Sequence, residues 1–102
     1  MGDQRTSGNN EAVAGAAAMI YHHFGHFLLL SRFDGTYEGN QLGKGQGEIS
    51  KLLKEAKNPR LVAKAEELSQ VLIGINPGDK TDDNVLDKIG ELLDVIRTER
   101  KF

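Results

Sequence analysis

At 102 residues, with no cysteine and a net charge of −2, the chain has room for one domain and for no disulfide, thiolate or zinc–thiolate chemistry. Its 38% hydrophobic and 27% charged content belongs to a folded chain. Thirteen basic against 15 acidic side chains give no basic excess for nucleic acid, and the missing cysteines suit a reducing cytoplasm.

Residues 1–9 are polar, contain glycine and show no periodicity, so a disordered tail is expected there, with residues 10–102 as a single helical domain. No signal peptide is expected, because the first apolar run starts late and lacks a basic flank. Asn9 or Asn10 can cap a first helix reaching Leu30 or Phe33. Between Glu11 and Arg32 lie 20 residues without a formal charge, including His22, His23 and His26. A helix apolar on every side is buried in protein or in membrane. This one is long enough to span a bilayer, but three histidines near its middle make a protein interior the expected setting. Gly15 and Gly25 each cost about 1 kcal/mol against alanine. Ala14 and Ala18, or Gly15 with Ala18, form a small-residue face that lets another backbone come close.

Residues 34–47 (DGTYEGNQLGKGQG) are expected to form a long Gly-rich loop. A second helix from Gly47 to Lys57 carries Ile49, Leu52, Leu53 and Ala56 at helical spacing. Asn58-Pro59 opens a third, with Leu61, Ala65, Leu68 and Leu72 on one stripe. Residues 76–79 make a turn, and Thr81 is expected to cap a fourth helix carrying Val85, Ile89, Leu92 and Ile96. The expected fold is all-α: four helices around a long apolar first helix, as an orthogonal or up-down bundle. Three shorter helices cannot easily cover all of the first. A homodimer with that helix in the interface is therefore expected.

His22 and His26 lie one helical turn apart and could hold a divalent metal, with His23 beside them. No glutamate follows His22, so the HExxH general base of metalloproteases is missing. Packing and hydrogen bonding within a helix are the competing roles, and no resident cofactor is expected. The glycines of residues 39–47 invite a phosphate-loop reading, but their spacing is wrong and Gly45 follows Lys44 where the motif has Ser or Thr. Asp34, Thr36, Glu38 and Gly39 match the first, third, fifth and sixth places of a calcium loop over residues 34–45, whose twelfth place holds Gly45 instead of glutamate. The run from Leu42-Gly43-Lys44 to Glu48-Ile49-Ser50-Lys51-Leu52-Leu53 is similar to the entry into the second helix of small dimeric EF-hand proteins.

No nucleophile, base and orienting group share a recognisable spacing. The sequence therefore reads as a small non-enzymatic helical protein acting through protein–protein contacts, as a homodimer with a further unidentified protein partner. Its expected surface comprises Ala14, Ala18, Phe24, Phe27, Phe33 and Tyr37, together with the loop. A metal-responsive binder using His22 and His26 or the calcium-like loop is the first alternative, and an enzyme the last.

Overall fold

The computed structural model describes the backbone of residues 2–99 and the side chains of residues 11–99. Four helices follow one another: α1 (Gly2–Asp34), α2 (Gly39–Glu55), α3 (Pro59–Leu72) and α4 (Asp83–Thr98). Helix α1 begins at Gly2, so the backbone of residues 2–9, expected as a tail, is helical, and neither Asn9 nor Asn10 caps it. No strand occurs among the described residues, only an isolated bridge between Thr36 and Lys80. Helix α1 packs on α2 and α4, and α3 packs on the same two from the far side. The result is a four-helix bundle in which α1 occupies one corner.

The long Gly-rich loop is a correction: only residues 35–38 separate α1 from α2. Glu38 caps α2, its carboxylate accepting from the N–H groups of Asn40 at 2.9 Å and Gln41 at 2.7 Å. From there Leu42, Gly45, Ile49 and Leu52 turn one buried face into the bundle. Burial of that face offsets the poor helix propensity of Gly43, Gly45 and Gly47. Gly45 also has a shape role. A Cβ placed there would lie 2.6 Å from Cζ and 2.8 Å from Cδ2 of Phe24, so the bare backbone makes the slot that the ring fills.

Asn58 and Pro59 begin α3 as expected, the Asn58 side chain accepting from the N–H of Arg60 and Leu61. The cap of α4 is Asp82 and not Thr81: Asp82 accepts from Asn84 N at 2.8 Å, whereas Thr81 donates its N–H to Gly35 O at 3.0 Å. That contact belongs to a clasp between the two interhelical turns. Tyr37 N donates to Asp79 O, and Gly78 N donates to Tyr37 O, each at 2.9 Å. Gly35 (φ 75°) and Gly78 (φ 91°) supply the left-handed turns that the clasp requires. The Tyr37 ring stacks on Phe27 with centroids 5.9 Å apart, and its hydroxyl accepts from Asp82 N at 2.9 Å. The clasp thus reaches the core through one side chain.

Two ion pairs at 2.8 Å, Lys64–Glu91 and Lys88–Glu67, tie α3 to α4. The Lys88 ammonium, bonded to Glu67, holds that carboxyl below its ordinary range, and Lys64 does the same to Glu91. Both lysines are correspondingly raised. A lowered carboxyl contributes stability above its unfolded pKa and loses it as the pH falls through the folded value; a raised lysine loses its contribution as the pH rises through its folded value. The variant Glu67→Gln/Glu91→Gln is therefore expected to show a flatter acid limb in its urea midpoint against pH than the parent. The difference should shrink in high salt, because these groups face solvent.

Candidate functional site

One side of α1 faces the bundle and the other faces solvent. Val13, Ala17, Ile20, Phe24 and Phe27 are buried on the inner side, with Ser31 closing the row. Phe24 meets Phe27 edge-on at 5.8 Å. On the outer side Gly15, Met19, His22, His26, Leu29 and Phe33 are all exposed. Their spacing is four, three, four, three and four residues, the a and d pattern of a coiled-coil seam. Leu29 is 73% exposed and Phe33 90%. Ala18, Tyr21 and Leu30 flank the seam and are exposed as well. The outer face is thus apolar and uncharged from Ala12 to Ser31, interrupted only by imidazoles. By length and composition, residues Glu11–Asp34 could cross a membrane; in this fold their inner side forms part of the bundle core.

The structure divides the expected surface residues. Phe24 and Phe27 are fully buried and Tyr37 is 4% exposed, so these three belong to the core and offer nothing to a partner. Their aromaticity marks packing against α2 and the clasp, which the sequence alone does not separate from exposure. Ala14 is half-buried, Ala18 is exposed, and Phe33 stands clear of the bundle. Met19, Leu29 and Leu30 share the exposed side, and sequence reasoning missed them. The signal was present in the alternating four- and three-residue spacing, hidden because the inner face is equally apolar.

The histidines also divide. His23 is 8% exposed, and its Nδ1 lies 2.8 Å from Oε1 of Gln41, an acceptor, so Nδ1 carries the hydrogen. It ties α1 to α2. His22 and His26 are exposed, their ring centroids 4.7 Å apart and tilted by 50°. Among the described residues no group of three or more His, Cys, Asp or Glu side chains in one chain could hold a metal. The calcium-like loop over residues 34–45 is corrected by the start of α2 at Gly39, which commits residues 39–45 to helix and the Glu38 carboxylate to capping.

A groove lined by Gln46, Ile49, Ser69 and Leu72 between α2 and α3 encloses about 210 Å³, and another by Tyr21, Leu93, Asp94 and Arg97 about 200 Å³. Both fall below the roughly 300–1,000 Å³ of small-molecule sites. No protein-family model matches the chain, and no curated protein or solved structure matches it either.

Proposed function

We propose that the chain is a non-enzymatic helical protein that acts through protein–protein contacts and assembles as a homodimer along the outer face of α1. The observation that carries this reading is the exposed, uncharged seam from Gly15 to Phe33, with coiled-coil spacing and two of its apolar members more than 70% exposed. Contiguous exposed apolar surface of this kind marks an interaction site. A seam made from one helix is completed by another helix of the same spacing, and a second copy supplies one. The absence of cysteine in the sequence fits a reducing cytoplasm as the place of action.

Sedimentation across nanomolar to high-micromolar concentration tests the reading. A concentration-dependent monomer–dimer equilibrium is expected. A chain that stays strictly monomeric throughout, with the α1 seam open to solvent, contradicts it.

A further inference from the structure

The histidines sit at the middle of the seam. Counted from Gly15 to Phe33, the seam is small at one end and large at the other, with His22 and His26 either side of position 24. Two copies laid parallel would put Gly15 on Gly15 and Phe33 on Phe33, leaving a gap at one end and a collision at the other. Laid antiparallel about position 24, Phe33 falls on Gly15 of the second copy, Leu29 on Met19, and His22 on His26. The largest seam residue then meets the smallest at each end, and Leu29 meets Met19 between them.

The seam is also narrow. From Gly15 to Phe33 it runs about 27 Å, and a third of a helix circumference along that length presents on the order of 300 Å². A stable dimer covers roughly 800 Å² per partner. Apolar contact along this helix alone gives a weak dimer, so a specific link at its centre has leverage over assembly.

Resting on the homodimer reading, we propose that His22 and His26 of two antiparallel copies form a four-imidazole site for a divalent transition-metal ion of the zinc class. One chain provides two ligands one turn apart, half of a tetrahedral shell. Their centroid separation of 4.7 Å is near the ~5 Å that two imidazoles on one tetrahedral ion need, given metal–nitrogen distances of about 2.0–2.1 Å. The second copy brings the matching pair to the same level of the seam. Both rings are exposed in the single chain and so open to an ion and to a second copy. His23, hydrogen-bonded to Gln41, stays outside the shell.

Sedimentation velocity of the full chain, first with EDTA and then with zinc chloride, tests the site beside the variant His22→Gln/His26→Gln. In the parent, zinc is expected to tighten the dimer at least about tenfold, with one ion bound per two chains. The variant, compared with its own association in EDTA, is expected to lose the zinc response. Zinc that leaves association unchanged, that binds one ion per chain, or that tightens the variant equally overturns the site. A dimer in EDTA that ignores zinc removes the metal site and leaves the homodimer standing, whereas a monomer under every condition removes both.

Discussion

Truncating Phe24 to alanine is expected to lower the unfolding free energy by about 3–5 kcal/mol, a large share of what a domain of this size has. Phe24 is fully buried, meets Phe27 edge-on at 5.8 Å and fills the slot left by Gly45. Little can collapse into the space, because Phe27 is itself held by stacking on Tyr37 in the clasp. The converse change probes the same interlock from α2. Gly45→Ala pushes a methyl group against a ring that has nowhere to retreat, and overpacking of that kind costs about 1–3 kcal/mol. Gly43→Ala and Gly47→Ala place a Cβ where nothing lies within 4 Å. Each is expected to stabilise the helix by about 0.5–1 kcal/mol. Urea denaturation of the three single variants gives the sign directly. A gain at Gly45 equal to that at Gly43 and Gly47 would mean that Phe24 does not occupy this slot.

Replacing Leu29 and Phe33 by lysine is expected to weaken self-association by about a hundredfold, or roughly 2.7 kcal/mol, with unfolding of the monomer changed by less than about 0.5 kcal/mol. Both side chains point away from the bundle, so the monomer core does not register their loss. In an antiparallel pair each substitution occurs twice, placing four ammonium groups along a seam of apolar side chains and imidazoles. Sedimentation equilibrium reads the association, and thermal unfolding at nanomolar concentration reads the monomer. A fall in the monomer's stability comparable to the loss of association would assign these residues to the fold instead.

The last two helices were readable because their signals are local. Asn58-Pro59 starts α3 through a side-chain cap and a residue with no N–H to lose, and Val85, Ile89, Leu92 and Ile96 repeat at one helical period. Thr81 and Asp82 could each have capped α4. The choice went to Asp82 because Thr81 is committed to Gly35 across the clasp, a contact between residues 46 positions apart. The start of α2 was illegible for a similar reason. Its glycines read as a loop, and what makes them helical is the Glu38 cap together with a distant aromatic that requires one of them to be bare. In α1 the difficulty was an excess of signal. Apolar residues lie on both sides, so composition showed that something must cover the helix without showing which half the bundle covers. The turn-spaced His22 and His26 were legible as a pair; their position on the uncovered side was not.

Disulfide trapping tests the seam most directly, because the chain has no native cysteine to confuse it. One preparation carries Gly15→Cys, where a side chain meets open space, and another carries Phe33→Cys, at a position 90% exposed. Mixed at micromolar concentration and oxidised under mild conditions, the two are expected to join chiefly as the 15–33 heterodimer, identified by intact mass. Predominance of 15–15 and 33–33 products would contradict the antiparallel seam, and absence of any cross-linked species would contradict the seam as an interface between copies.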